Sequence, residues 1–212
     1  MAYETLKSNP LTYALGKAVM TVIRLARSVQ NMLHKQPIPA LLPFQKRQAL
    51  LALGQAYNLQ NFVETGTYLG ETVEFMAPHF KRILSYELAP DLHAANVKKL
   101  KKHKHVELYL GDSGKLLPTH LTTLKTPTLF WLDGHFSGGP TAYGDLASPV
   151  LAELQALMAH PVKGHVIVID DSRDFRGLEG YPTIRQLQWF INRHPGYMLR
   201  LKDDLLVIAP SE

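Results

Sequence analysis

From Asn61 onward, short apolar runs alternate with longer mixed stretches. The runs at 62–64, 83–87, 106–110, 128–132 and 166–169 predict buried strands. Between them lie helix candidates near 70–80, 89–102, 113–124 and 146–160, with Pro78, Pro118 and Pro161 marking ends, and a last helix at 182–193 begins around Pro182. Strand and helix in rotation imply an α/β chain, with a doubly wound, mostly parallel sheet covered by helices on both faces. The rotation then breaks. Residues 197–201 and 205–209 are apolar runs joined by Lys202-Asp203-Asp204, which reads as an antiparallel hairpin.

Upstream the pattern is different. In residues 11–35, Lys17, Thr21, Arg24, Ser28, Asn31 and Lys35 recur at steps of three and four, while Leu15, Val19, Val22, Ala26, Val29 and Leu33 line the other side. This amphipathic helix carries too much charge to span a bilayer, and no short apolar core ends at a cleavage site as in a signal peptide. Packing on the domain's own core, a lid over the site, a homodimer contact and membrane-surface contact all remain open for it. Gln36-Pro-Ile-Pro39 and Pro43 form a stiff linker, and a helix at 44–57 leads into the first strand. The expected organisation is an N-terminal element, 1–43, and one domain, 44–212.

Composition narrows the chemistry. The 212 residues, 46% hydrophobic and 19% charged, suffice for one buried core. Zero cysteines excludes disulfides, thiolate metal sites and cysteine nucleophiles, and fits a cytoplasmic location. Any metal must use oxygen or imidazole ligands. A net charge of +5 with 9% aromatic residues does not indicate a nucleic-acid partner. The basic run Lys98-Lys99-Leu-Lys101-Lys102-His-Lys104 falls late in a predicted helix, where cations suit the macrodipole.

In an open parallel sheet, ligands sit beyond the carboxyl ends of the strands. Here the strands run into Glu64-Thr65-Gly66, Glu87, Gly111-Asp112-Ser113, Asp133-Gly134-His135 and Asp170-Asp171-Ser172. Acids at five strand ends form an acidic crevice, suited to a ligand with hydroxyls, an amine and a positive centre, or to a divalent cation. Gly66 and Gly70 remove Cβ atoms where the backbone of the first turn would approach a ligand. Glu87, about twenty residues beyond that turn, stands where a carboxylate accepts from both ribose hydroxyls, unless it only caps the next helix. Asp112 is placed to accept from the exocyclic amine of an adenine, with the Ser113 N–H facing a ring nitrogen, or to cap the helix that follows.

These residues resemble a family. Glu64-Thr-Gly-Thr-x-x-Gly70, Glu87, Gly111-Asp112-Ser113 and Asp133 look like the successive motifs of class I S-adenosylmethionine (SAM)-dependent methyltransferases, over roughly residues 44–209. More narrowly, Phe130-Trp-Leu-Asp-Gly-His135 followed by Val168-Ile-Asp170-Asp171 is similar to the macrocin-type O-methyltransferases and, more loosely, to the catechol type. The resemblance implies a Rossmann-like seven-stranded sheet whose last strand is reversed. SAM would be held by Glu64, Thr65, Gly66, Gly70, Glu87, Asp112, Ser113 and Asp133. It also implies a divalent cation, Mg²⁺, on Asp133, Asp170 and Asp171. The glycine-rich run Gly134-His135-Phe136-Ser137-Gly138-Gly139 departs from the catechol type.

The physical case for a metal is that three converging carboxylates repel one another without a cation, and oxygen-only ligands favour a hard ion. The other reading has Asp170 bonding a loop and Asp171 facing solvent. His135, two residues past Asp133, is the candidate general base, although it can instead bond backbone or ligate metal. His103, His105, His120, His160, His165 and His194 read as surface residues. The loop 136–145, hinged at Gly138 and Gly139, is long enough to close over substrate, and Arg173 and Arg176 either meet a polar substrate or join surface ion pairs. The expected activity is divalent-metal-dependent methyl transfer from SAM to a hydroxyl of a small polar metabolite, a small-molecule acceptor. Its rivals are a metal-independent methyltransferase with His135 as base and a non-catalytic binding module.

Overall fold

The computed structural model describes residues 38–133, 149–178 and 181–211. Their elements, in chain order, are α1 (Pro43–Ala56), β1 (Asn61–Thr65), α2 (Glu71–Met76), β2 (Arg82–Glu87), α3 (Pro90–Leu100), β3 (Val106–Leu110), α4 (Ser113–Leu121), β4 (Thr128–Leu132) and α5 (Val150–Ala159). Then come β5 (Val166–Ile169), a 3₁₀ turn (Ser172–Asp174), α6 (Ile184–Ile191), β6 (Tyr197–Lys202) and β7 (Leu205–Pro210).

The seven strands form one sheet in the order β3-β2-β1-β4-β5-β7-β6. β1 pairs in parallel with both β2 and β4, β2 with β3, and β4 with β5, whereas β7 runs antiparallel to β5 and β6. Strand order therefore reverses between β1 and β4, the point at whose carboxyl edge open α/β sheets bind ligands. This is the sheet expected from the sequence, with the reversed hairpin in place.

Side-chain alternation divides the core. Val63, Leu84, Phe130, Leu132, Ile167 and Ile169 point to one face, where Leu117 and Leu121 of α4, Leu154 and Leu157 of α5, and Leu187 and Ile191 of α6 cover them. Phe62, Ile83, Leu129, Trp131, Val166 and Val168 point to the other, under Leu50 of α1, Val73 and Met76 of α2, and Leu100 of α3. β4 and β5 are thus apolar on both faces, which is why they read as unbroken runs. Each such side chain stabilises the fold by about 1.5–3 kcal/mol through removal from water.

The helix ends follow local chemistry. Asp112 caps α4 by accepting from Gly114 N–H at 2.9 Å. Thr183 and Gln186 form a reciprocal box at the start of α6. Pro118 does not end its helix: it lies inside α4, which continues to Leu121. Helices α2, α3, α4 and α6 are shorter than the sequence pattern implies, with α2 stopping at Met76 before Ala77-Pro78. Among the described residues no helix is long and apolar enough to cross a membrane. The amphipathic stretch at 11–35 lies outside the described residues.

Two histidines expected on the surface are buried. His160 and His165 stack at the amino edge of the sheet, with His160 Nδ1 2.9 Å from His165 Nε2. Thr128 N–H donates to His165 Nδ1 at 3.1 Å, and the Tyr197 hydroxyl accepts the N–H groups of Gly164 and His165. The pair satisfies polar groups where α5 meets β5. It lies at the opposite edge from the acidic crevice.

Candidate functional site

Strand register brings the acids together. Glu64 stands opposite Trp131, and Leu132 opposite Ile169, so one or two residues further Gly66, Asp133 and Asp170 come level along the carboxyl edge. Asp170 N–H donates to Leu132 O at 3.2 Å, holding the chain after β5 against β4.

The turn after β1 is pinned from three sides. Thr67 N–H donates to Tyr86 O at 2.9 Å and Gly70 N–H closes back on Thr67 O at 2.7 Å. Tyr68 takes the left-handed conformation (φ 46°), unusual for a bulky residue, and its carbonyl accepts from Asn96 Nδ2 at 2.6 Å. Gly70 is required twice over: its φ is 69°, and a Cβ there would lie 2.4 Å from Asn96 Oδ1.

That turn fixes Glu87. Its carboxylate accepts Tyr68 N–H on Oε2 at 2.7 Å and Ala89 N–H on Oε1 at 2.8 Å. Each oxygen keeps a second lone-pair direction, so the group stays able to accept two vicinal hydroxyls. The bond to Ala89, the N-cap of α3, also gives Glu87 the helix-end role that the sequence left open.

Glu64 is buried beneath the turn. Ser85 Oγ donates to its Oε2 at 2.8 Å, and Ser85, its one proton so used, accepts from Thr67 Oγ1 at 2.6 Å. Burial pushes the Glu64 carboxyl well above the usual range, and the charges of Asp133 and Glu87 push it further, against the Ser85 bond. A cationic ligand would relieve that cost. Beside it, Thr65 Oγ1 is buried and has no hydrogen-bond partner among the described residues. A buried hydroxyl at this end of β1 is suited to hydrogen-bond a ligand atom.

Asp112 and Ser113 are divided between structure and site. Asp112 Oδ1 serves the cap of α4, while Lys115 lies 3.9 Å from Oδ2. Ser113 turns its hydroxyl away, donating to Glu153 Oε1 of α5 at 2.6 Å. Any ligand contact of Ser113 is therefore left to its backbone N–H, which as the first of the helix has no intrahelical partner.

At the third cluster the sequence missed a residue. Lys46 of α1 places its ammonium 2.6 Å from Asp170 Oδ2 and 2.8 Å from Asp171 Oδ1. Asp170 Oδ1 accepts Asp171 N–H at 2.7 Å, and Asp171 sits in the left-handed region (φ 49°). Arg173 Nη1 approaches the same Asp171 Oδ1 at 2.9 Å and also pairs with Asp204, a buried residue of the β6–β7 turn. Asp204 further accepts from Ser172 Oγ and Arg173 N–H, both at 3.2 Å. Burial pushes the Asp170 carboxyl up to about 7, with Asp133 and Asp171 adding to the shift and Lys46 opposing it.

The three aspartates therefore do not present an open oxygen cage. Among the described residues no group of three His, Asp or Glu side chains is arranged to hold a metal ion, and the cation at Asp170 and Asp171 is a lysine. Mg²⁺ requires oxygen ligands at about 2.0–2.1 Å and would have to displace Lys46. Arg173 is committed to Asp171 and Asp204, and Arg176 donates to Arg173 O at 2.6 Å, so they form a local network. His135 and the loop 136–145 lie outside the described residues.

Ser85, Asn96 and Asp204 were also missed. Each bonds across elements, Lys46 across 124 positions to Asp170, so no local spacing marks them.

The sequence matches no family model and no curated protein. Solved structures do match. TomG of Streptomyces achromogenes, an O-methyltransferase in complex with SAM, aligns with a TM-score of 0.62 at 13% identity, covering 81% of this chain and 82% of that one. The O-methyltransferase of Bacillus cereus, in complex with S-adenosylhomocysteine (SAH), gives 0.60 at 15%, covering 92% and 91%. The SAH-bound methyltransferase PaMTH1 of Podospora anserina gives 0.58 at 15%, covering 81% and 80%. At such identities the likeness is one of fold, and the seven-stranded sheet of this chain, with its reversed last strand, is the Rossmann-like fold of these methyltransferases.

Proposed function

We propose that this chain is a SAM-dependent methyltransferase acting on a hydroxyl of a small polar molecule. The observation that carries the reading is Glu87, held at the end of β2 by one backbone N–H on each oxygen and so preset for the two hydroxyls of a ribose. The buried acid Glu64 supports it, since it suits a positive centre, as does the orphaned Thr65 hydroxyl next to it. Solved methyltransferases of the same fold, two of them O-methyltransferases, support it as well.

In this reading Glu64, Thr65, Gly66 and Gly70 shape the methionine and ribose pocket, while Asp112 and the Ser113 N–H frame the adenine. SAM supplies an activated methyl on a sulfonium that is already a good leaving group. What remains for the chain is alignment of the acceptor oxygen with that methyl, exclusion of water, and removal of the hydroxyl proton. His135, two residues past Asp133, is our assignment for the base. The divalent ion implied by the sequence resemblance does not fit Asp170 and Asp171 as Lys46 holds them, and no step is derived through it. That observation favours the metal-independent form of the reaction.

Calorimetry with SAH tests the cofactor assignment. Wild-type chain is expected to bind with an affinity that falls at least tenfold in Glu87→Gln, because an amide keeps one acceptor but turns a donor toward a hydroxyl or an N–H. No SAH binding by the folded wild type would leave the non-catalytic module as the better reading.

A further inference from the structure

We propose that the Lys46 ammonium is the resident cation of the acceptor site, tethered by α1 where a divalent ion would otherwise bridge the carboxylates after β4 and β5. The inference rests on the methyltransferase reading for the word acceptor, and on geometry for the rest. Asp133 and Asp170 are level by strand register, and Asp170 and Asp171 both direct an oxygen at Lys46 within 2.8 Å. Asp171 reaches that position through a left-handed backbone, a conformation costly enough that the surrounding bonds must enforce it. Asp170 is fixed by taking Asp171 N–H, and Asp171 by Arg173, which Asp204 anchors in turn. This is a built receptacle for an ammonium group.

The choice of cation has chemical consequences. An ammonium donates three hydrogen bonds and accepts none, and two of them go to Asp170 and Asp171. The third is uncommitted among the described residues, and the side chain keeps 17% exposure, so a ligand can reach it. A hydroxyl oxygen offers a lone pair to that N–H, whereas an amine protonated at neutral pH would be repelled. The arrangement therefore selects an oxygen acceptor. During transfer the acceptor oxygen bonds the methyl carbon, the C–S electron pair stays on sulfur, and the hydroxyl proton leaves to the base of the proposed reaction. Lys46 keeps its own proton throughout.

Mn²⁺ binding followed by electron paramagnetic resonance on the full chain is the test, with SAH calorimetry run in parallel. Wild type is expected to leave Mn²⁺ free up to millimolar concentration. Lys46→Ser, which removes the ammonium and leaves the carboxylates, is expected to gain Mn²⁺ affinity by at least tenfold, and Lys46→Ser/Asp170→Asn to lose that gain. Lys46→Arg keeps the charge and should exclude Mn²⁺ as wild type does, which covers the case where the serine variant does not fold. Micromolar Mn²⁺ binding by wild type would overturn the proposal, and so would a folded Lys46→Ser that gains none. SAH binding is a separate readout: its absence in wild type removes the methyltransferase reading, while the Mn²⁺ results decide the role of Lys46.

Discussion

At Gly70 two constraints meet in one residue, since its φ of 69° disfavours any side chain and the Asn96 amide occupies the space a Cβ would need. Asn96 is itself spent on the carbonyl of Tyr68, whose N–H holds Glu87. A methyl group at Gly70 therefore acts on the Glu87 carboxylate through two hydrogen bonds. Gly70→Ala is expected to cost about 2–4 kcal/mol, from the left-handed strain and the displaced Asn96 bond. It should also weaken SAH binding although residue 70 need not touch the ligand. Chemical denaturation and calorimetry check both parts; a variant as stable as wild type would mean the turn relaxes without Asn96. Gly70, Glu64 and Glu87 were legible in the sequence because each stands at a strand end or in the turn after one, whereas the Asn96 contact that also requires the glycine comes from another helix. Lys46 was not, because its partners lie 124 and 125 positions away and its own neighbours, Gln45 and Arg47, belong to an ordinary helix.

Strands were the most legible elements. β4 and β5 are buried along their whole length, and their apolar runs, broken by no charged position, stand out from the mixed stretches around them. Helix limits were less so, since capping and proline chemistry act at single residues, and Pro118 is accommodated inside α4. The junction of α5 and β5 was misread for a further reason: Lys163-Gly164-His165 has the composition of a surface connection, and only tertiary packing buries the imidazole. Thr128 N–H can only donate, so His165 Nδ1 carries no proton, and the Nε2 proton is given to His160. Burial, with the nearby charges of His160 and Lys163, lowers the His165 pKa to about 4 from an ordinary 6.5. With the folded value depressed, the unfolded chain binds the extra proton between pH 6.5 and 4. The stability from this neutral histidine is thus complete above pH 6.5 and is lost as pH falls toward 4, by about 3 kcal/mol in all. Nitrogen-detected NMR should find His165 as the Nε2–H tautomer at pH 7 and still neutral at pH 5. An imidazole that titrates near 6.5, or an Nδ1–H tautomer, would refute the assignment.

Over the whole molecule, charge is distributed against its average. The chain carries a net +5, yet Glu64, Glu87, Asp112, Asp133, Asp170 and Asp171 gather at one edge of the sheet, where Lys46 pairs with Asp170 and Asp171, Arg173 with Asp171, and Lys115 lies 3.9 Å from Asp112. In the proposed reading the sulfonium of SAM is a counter-charge for the buried Glu64. SAM and SAH differ there by one methyl and one positive charge, so the ratio of their affinities reports the field of the site. Glu64 holds its proton well above the usual carboxylate range. At low pH it is neutral and the two ligands should bind alike; as pH rises through its elevated folded pKa, the sulfonium gains a buried counter-charge and SAM should bind increasingly tighter than SAH. Unit charges about 5 Å apart at an effective dielectric of 20 interact by roughly 3 kcal/mol, so a tenfold or larger growth of the ratio is expected. Reciprocally, bound SAM must lower the pKa of Glu64 by the same coupling. Calorimetry with both ligands at successively higher pH measures the ratio, and Glu64→Gln should flatten it while leaving SAH binding within a few fold. A ratio that does not move with pH in wild type would place the sulfonium away from Glu64, and one that moves equally in Glu64→Gln would assign the field to the other carboxylates of the edge.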